Sequence, residues 1–147
     1  MPAKTAELEL ILEKDREEVD PELLQLPDPP RKAKGNAAAL QKLRRVAKVH
    51  LAFISVAELR AGFACGSKTQ QNEKNLQRFL SAARVNVLYA DSETSLFYAR
   101  IYATLRQNGT PVPTNDLWIA ALALQHGLPV YSFDRHFSKI EAIDLIQ

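Results

Sequence analysis

The sequence predicts an α/β domain in which a short parallel β-sheet is covered by helices. From residue 35 onward, short apolar runs alternate with longer helical patterns. Strands that alternate with helices imply crossover connections, which join parallel strands. The 147 residues are 46% hydrophobic and 24% charged, a balance typical of a single globular domain. Because Cys65 is the only cysteine, disulfide frameworks and four-cysteine zinc sites are excluded.

The first segment, residues 5–20, is predicted to be an amphipathic helix with an acidic face. Its apolar residues recur close to a 3.6-residue period. They are Leu8, Ile11, Leu12, Val19 and Leu23. A competing interpretation is a strand over residues 6–10, where apolar and acidic residues alternate, but the charged run that follows favours a helix. Four prolines then predict an extended arm over residues 21–34.

The remaining elements follow in order along the chain. Helices are predicted over residues 36–48, 55–66, 69–83, 91–107 and 114–126, and strands over 50–54, 85–89, 128–133 and 143–146. Asn36, Ser55, Asp91 and Thr114 are expected to cap helices, and Gly127 to end the last long one. Residues 108–113 and 134–139 are predicted to be turns.

The charge is distributed unevenly between the two parts of the chain. Residues 1–34 carry nine acidic and six basic side chains, whereas residues 35–147 carry eight acidic and thirteen basic ones. A mildly basic body fits a polyanionic partner without requiring one. No apolar run is long enough for a membrane span or a signal core. We therefore expect a cytoplasmic protein without a membrane partner.

Three acidic residues, Glu58, Asp116 and Asp134, are predicted to meet at one edge of the sheet. In a right-handed strand-helix-strand unit, the helix begins at the carboxyl edge of the sheet and ends at the amino edge. Glu58 and Asp116 lie in the first turns of predicted helices, and Asp134 directly follows a predicted strand. All three therefore belong to the carboxyl edge, where open α/β sheets bind ligands.

Each of these residues also has a purely structural explanation. Glu58 could complete a capping box with Ser55, Asp116 could complement its helix dipole, and Asp134 could cap a short turn. The structural and functional roles are compatible, because a capping carboxylate can spare an oxygen for a metal.

Carboxylates gathered in one crevice repel one another unless a cation compensates them. Mg²⁺ or Mn²⁺ takes oxygen ligands, keeps several waters, and can generate hydroxide and hold a phosphate for in-line displacement. The convergence therefore indicates a Mg²⁺ or Mn²⁺ site. Candidate phosphate contacts around it are Arg60, Arg135, His136 and Lys139.

Three segments of the sequence resemble the second, third and fourth acidic motifs of PIN-domain ribonucleases, most closely the VapC toxins of VapBC toxin–antitoxin pairs. They read ISVAELRAG from residue 54, PTNDLWIAA from residue 113 and VYSFDRHF from residue 130. The resemblance spans residues 35–147, keeps the order and spacing of the family, and implies a PIN-like three-layer sandwich.

The resemblance also implies Mg²⁺- or Mn²⁺-dependent cleavage of RNA, a homodimer, and a VapB-like antitoxin that blocks the crevice. Carried over residue by residue, Glu58, Asp116 and Asp134 would be the catalytic, metal-binding carboxylates. Thr114 and Asn115 would be supporting polar groups.

The first acidic motif of the family is missing from this sequence. VapC toxins begin with an apolar strand that ends in Asp-Thr-Asn or a similar triplet, and its Asp is the first metal ligand. Here that position falls near Gln25, in the run LLQLPDPP. Asp28 is the nearest substitute, although the surrounding prolines lack the donors of a central strand. Asp15 is a further candidate.

Two functions therefore remain open at the sequence level. The first is a metal-dependent endoribonuclease toxin, with activity impaired by the missing motif. The second is a catalytically inactive PIN-like module that binds an antitoxin or RNA. Residues 1–34 resemble an antitoxin tail in composition, and we expect that arm to lie over the crevice.

Overall fold

The computed structural model describes residues 10–13 and 48–147. Its strands are β1 Leu10–Glu13, β2 Lys48–Ala52, β3 Val85–Leu88, β4 Val130–Tyr131 and β5 Leu145–Ile146. The helices of this part are α1 Phe53–Ala64, α2 Thr69–Leu80, α3 Ser92–Gln107, α4 Thr114–His126 and α5 Arg135–Ser138. None of these helices is long and apolar enough to cross a membrane.

The five strands form one sheet in the order β3-β2-β1-β4-β5. β2 is parallel to β3, and β4 is parallel to β5. Because β1 is antiparallel to both β2 and β4, these four strands all point in the same direction. The predicted α/β fold with short parallel strands is confirmed, with one antiparallel strand in its centre.

The predicted helix over residues 5–20 is wrong for Leu10–Glu13, which form β1. Ile11 is fully buried and pairs with His50 on one side and Val130 on the other. The central position between β2 and β4 buries Ile11, and that tertiary environment outweighs the helical pattern of the charged residues around it. The rest of residues 5–20 lies outside the described residues.

Two hydrophobic clusters cover the two faces of the sheet and give the fold its three layers. On one face, Val49 and Leu51 of β2 pack with Leu59 of α1 and Phe79 of α2. On the other face, β1 and β4 pack against α3 and α4. That second cluster includes Ile11, Ile101, Ile119, Leu122, Val130 and Phe137. The helices are thereby fixed on both sides of a short sheet.

The predicted helix ends are confirmed where a local polar or glycine signal determines them. Asp91 caps α3 in a reciprocal capping box: its side chain accepts from the Thr94 amide, and the Thr94 hydroxyl accepts from the Asp91 amide. Gly127 ends α4 in the left-handed conformation, with φ of 64°. Both features are short-range, so the sequence alone determines them.

Other predicted boundaries are wrong by a few residues. The strand predicted over 50–54 occupies Lys48–Ala52, and α1 begins at Phe53 without a side-chain cap, so Ser55 caps nothing. Thr114 is the first residue of α4 rather than its cap. Residues 135–138 form a short helix instead of a turn. The apolar residues of these segments are compatible with either structure, so periodicity could not place the boundaries. Residues 36–47, where a helix is predicted, lie outside the described residues.

Candidate functional site

The carboxyl ends of the parallel strands place two of the predicted carboxylates next to each other. Asp116 lies in the first turn of α4, and only 8% of it is exposed. Asp134 follows β4 by three residues and caps α5. Its position is fixed by two hydrogen bonds, because its amide donates to Ser132 Oγ at 3.0 Å and its Oδ1 accepts from the His136 amide at 3.0 Å.

The imidazole of His136 lies between these two carboxylates. Its Nδ1 is 3.1 Å from Asp116 Oδ2 and 3.0 Å from Asp134 Oδ1. The three residues offer ligand atoms that all lie within 4.8 Å of one another. We call Asp116, Asp134 and His136 the acidic cluster.

Two carboxylates this close, one of them buried, are costly without positive charge between them. A divalent cation can supply that charge. The donor set of two carboxylate oxygens and one imidazole nitrogen fits such a cation. The imidazole nitrogen among the ligands is more typical of a transition metal than of Mg²⁺.

Glu58 is not a member of the acidic cluster but adjoins it through Asn115. The Asn115 side-chain amide donates to Glu58 Oε1 at 2.7 Å, which joins α1 to the first turn of α4 beside Asp116. The predicted alternative, a capping box with Ser55, does not form, because α1 begins two residues earlier. The carboxylate of Glu58 is therefore directed toward α4 rather than toward its own helix terminus.

The remaining site residues from the sequence analysis have different surroundings. Arg135 is exposed at the start of α5, between Asp134 and His136 in the chain, and Thr114 is exposed at the start of α4. Lys139 is exposed just after α5, where it lines a cavity with Leu124 of α4. Arg60 instead forms an ion pair with Glu73, with its Nη2 2.7 Å from Oε1. Asp28 and Asp15, the candidates for the first acidic residue, lie outside the described residues.

The ion pair between Arg60 and Glu73 perturbs both groups. The hydrogen bond from Arg60 is the largest influence on Glu73 and lowers the pKa of that carboxyl. The same bond raises the pKa of Arg60. The charge of Arg60 is thus already balanced within the chain, which weakens the expectation that it contacts a phosphate.

Sequence reasoning missed the position of His136 between the two aspartates. It predicted His136 as a phosphate contact only. The signal was present, because a capping Asp bonds the amide two residues later, and this bond brings the side chain at that position close to the carboxylate. The sequence could not show that Asp116 approaches from the opposite side.

The family model of the PIN domain matches residues 30–143 of this chain. The chain belongs to the PIN-domain family. Ribonuclease VapC5 of Mycobacterium tuberculosis is 32% identical over 94 residues, which cover 64% of this chain and 70% of VapC5. Ribonuclease VapC1 of Haemophilus influenzae is 38% identical over 74 residues, but these cover 50% of this chain and 54% of VapC1. Within the PIN family, the chain is of the VapC type.

Solved structures of PIN-domain proteins share the fold. FitAcB of Neisseria gonorrhoeae superposes with a TM-score of 0.66 at 28% identity, covering 87% of this chain and 94% of that chain. VapBC2 of Rickettsia felis, solved bound to a DNA fragment from its promoter, gives a TM-score of 0.61 at 27% identity. That alignment covers 66% of this chain and 72% of that one. The chain therefore adopts the PIN fold although the first acidic motif is missing from its sequence.

Proposed function

We propose that this PIN domain is a divalent-metal-dependent endoribonuclease that acts as the toxin of a toxin–antitoxin pair. The observation that carries the proposal is the acidic cluster, in which Asp116 Oδ2 and Asp134 Oδ1 both lie within about 3 Å of one His136 nitrogen. The ligand atoms of the three residues lie within 4.8 Å of one another. The ion we propose is Mn²⁺ or Mg²⁺.

In this proposal the ion supplies Lewis-acid stabilisation of phosphate charge and activation of water. Asp116, Asp134 and His136 would hold it. Glu58, which Asn115 joins to the first turn of α4, would face the waters that such an ion keeps. Asn115 orients Glu58 for that role through the hydrogen bond that its side-chain amide donates to Glu58 Oε1.

Basic side chains near the cluster suit an RNA backbone. Arg135 is exposed at the start of the short helix that Asp134 caps, and Lys139 is exposed just after that helix. Basic side chains next to a cation site can bind the phosphates on either side of the scissile one. RNA is the substrate that this proposal assigns.

An antitoxin partner and a homodimer are part of the same proposal. Similar structures include VapBC2 and a member of the VapBC family of toxin–antitoxin systems from Mycobacterium tuberculosis, at 27% and 30% identity. An antitoxin that covers the acidic cluster would block RNA.

The proposal is tested by cleavage of a structured RNA with purified protein in Mn²⁺, in Mg²⁺ and in EDTA. We expect cleavage only with a divalent ion. Asp116→Asn should lower the rate about 100-fold or more, because it removes one anionic ligand. The matched control is Asp144→Asn, which removes the same charge from an exposed carboxylate just before β5, and it should cleave normally.

Cleavage that persists in EDTA, or that survives Asp116→Asn, would contradict the proposal. RNA binding without any cleavage would instead support the inactive binding module.

A further inference from the structure

The His136 imidazole presents a buried nitrogen to the two carboxylates of the acidic cluster. Both carboxylate oxygens lie within hydrogen-bond distance of Nδ1, at 3.1 Å for Asp116 Oδ2 and 3.0 Å for Asp134 Oδ1. This nitrogen nevertheless forms no hydrogen bond with either oxygen or with any other group in the described part of the chain. A buried nitrogen without a hydrogen bond costs free energy unless another partner engages it. A neutral imidazole nitrogen can instead bind a metal ion.

The backbone on both sides of His136 is anchored. Its amide donates to Asp134 Oδ1 at 3.0 Å in the cap of α5. The next side chain, Phe137, is fully buried and belongs to the hydrophobic cluster around α4. Little backbone freedom therefore remains to be lost when the imidazole binds an ion, which is the support that a metal ligand needs.

The distances within the cluster fit the separation of neighbouring ligands on one ion. Two ligands at right angles on an octahedral ion, each about 2.1 Å from it, lie about 3 Å apart. The distances from Nδ1 to the two carboxylate oxygens have this value, and all three ligand atoms lie within 4.8 Å of one another. Small movements of the side chains would bring all three onto the same ion.

The nitrogen distinguishes this set of ligands from one made of carboxylates alone. Mg²⁺ is a hard cation that takes oxygen ligands and keeps several waters. Carboxylates suit both Mg²⁺ and Mn²⁺, whereas imidazole nitrogen suits the softer first-row transition ions. Asp116 and Asp134 would therefore accept either kind of ion, and His136 is the residue of the cluster that can discriminate between them.

We propose that His136 binds the catalytic ion through Nδ1 and makes the site select a divalent first-row transition ion over Mg²⁺. This inference rests on the proposed nuclease function and deepens it, because it assigns the choice of ion to one residue. Mn²⁺ is the probe, since it is paramagnetic and is one of the two ions named in that proposal.

The nitrogen bond is tested in full-length protein that is freed of metal with EDTA and then loaded with substoichiometric Mn²⁺. Electron spin echo envelope modulation detects a nitrogen nucleus bonded to Mn²⁺. We expect a nitrogen signal in the native protein and in His126→Asn, and none in His136→Asn. His126 is the matched control, because it is an exposed histidine at the end of α4.

Selectivity is measured by competition of Mg²⁺ against bound Mn²⁺, followed by the paramagnetic resonance signal of free Mn²⁺. His136→Asn should weaken Mn²⁺ binding about tenfold or more, since loss of a residue that merely supports a metal ligand already costs about 10–100-fold in affinity. Mg²⁺ binding should change much less. His136→Asp supplies an anionic oxygen instead of the nitrogen, so it should restore Mn²⁺ binding while Mg²⁺ competes better than in the native protein.

Bound Mn²⁺ without a nitrogen signal in the native protein would overturn the inference, and this readout does not depend on the folding of any variant. A preference for Mn²⁺ that neither His136 variant lowers would also overturn it. RNA cleavage by the native protein is measured in parallel. Nitrogen-bonded Mn²⁺ without cleavage would contradict the nuclease proposal alone, whereas Mn²⁺-dependent cleavage without the nitrogen signal would contradict only the role of His136.

Discussion

His136 connects local capping geometry to the chemistry of the site. Its backbone amide donates a hydrogen bond to Asp134 Oδ1 as part of an ordinary helix cap. Its imidazole lies close to the same oxygen and to Asp116 Oδ2. One residue thus contributes to the start of α5 through its amide and to the acidic cluster through its imidazole. Asp134 likewise caps a helix and contributes a carboxylate to the cluster.

The cations near the site differ in availability, and this difference is testable. Arg135 is exposed at the start of α5, whereas Arg60 is already paired with Glu73. Arg135→Gln should weaken RNA binding and lower the slope of log affinity against log salt by about 0.7, the value for one phosphate contact on a single strand. Arg60→Gln should change the RNA affinity and the salt slope much less. Fluorescence anisotropy across a salt series measures this, and equal effects of the two variants would contradict it.

Asp91 gives a prediction for pH dependence. The Asp91 carboxylate accepts a hydrogen bond from the Thr94 amide, which has the largest effect, and another from the Gln125 side chain. Both hydrogen bonds lower the pKa of Asp91 below its ordinary value of 3.8. Because the folded pKa is depressed, the stabilisation is present above the unfolded pKa and is lost as the pH falls through the lowered value. The native protein should therefore exceed Asp91→Asn in melting temperature at neutral pH, and the difference should vanish in strong acid.

Thermal melts of both proteins from neutral pH to well below 3.8 measure this difference. Asp144→Asn, which also removes one negative charge, controls for the change in net charge. A gap between native protein and Asp91→Asn that stays constant over the whole range would contradict the assignment.

At the scale of elements, sequence reasoning succeeded where the signal was local. The cap of α3, the glycine that ends α4 and the helix-strand alternation from residue 48 onward are all encoded by neighbours in the chain. It failed at β1, because the alternatives for residues 5–20 differ in energy only through contacts with β2 and β4, about 40 and 120 residues away. A single-sequence pattern contains no information on such contacts.

The orientation of β1 has a consequence for the missing first acidic residue. β1 runs antiparallel to its neighbours, so its last residue, Glu13, pairs with Lys48 at the start of β2. The end of β1 therefore lies at the edge opposite to the acidic cluster. Within the described residues, the end of this strand therefore does not reach the acidic cluster, whose third group is His136.

The importance of β1 for the fold can be measured directly. Ile11 is fully buried between β2 and β4 and contributes to the cluster around α4. Ile11→Ala should lower the free energy of unfolding by about 2–5 kcal/mol, and Ile11→Val by about 0.5–1.5 kcal/mol. Urea denaturation measures both. An Ile11→Ala protein as stable as the native one would show that β1 does not hold the sheet together.

For the whole molecule, the three-layer arrangement explains why distant residues meet. The four parallel strands share one carboxyl edge, and the helices that follow β2 and precede β4 begin there. Asp116 and Asp134 therefore meet from separate parts of the chain, and Glu58 adjoins them through Asn115. This meeting was predictable from topology rules. The side-chain arrangement was not, because rotamers and the approach of His136 depend on packing that only the folded chain defines.

The central claim is that Asp116 and Asp134 hold a divalent cation, and locating that cation tests it most directly. Crystals of the protein soaked in Mn²⁺ should show an anomalous scattering peak within bonding distance of both carboxylates and of His136, and Asp116→Asn crystals should lose that peak. A well-ordered carboxylate pair without the peak, at a Mn²⁺ concentration that supports RNA cleavage, would contradict the claim.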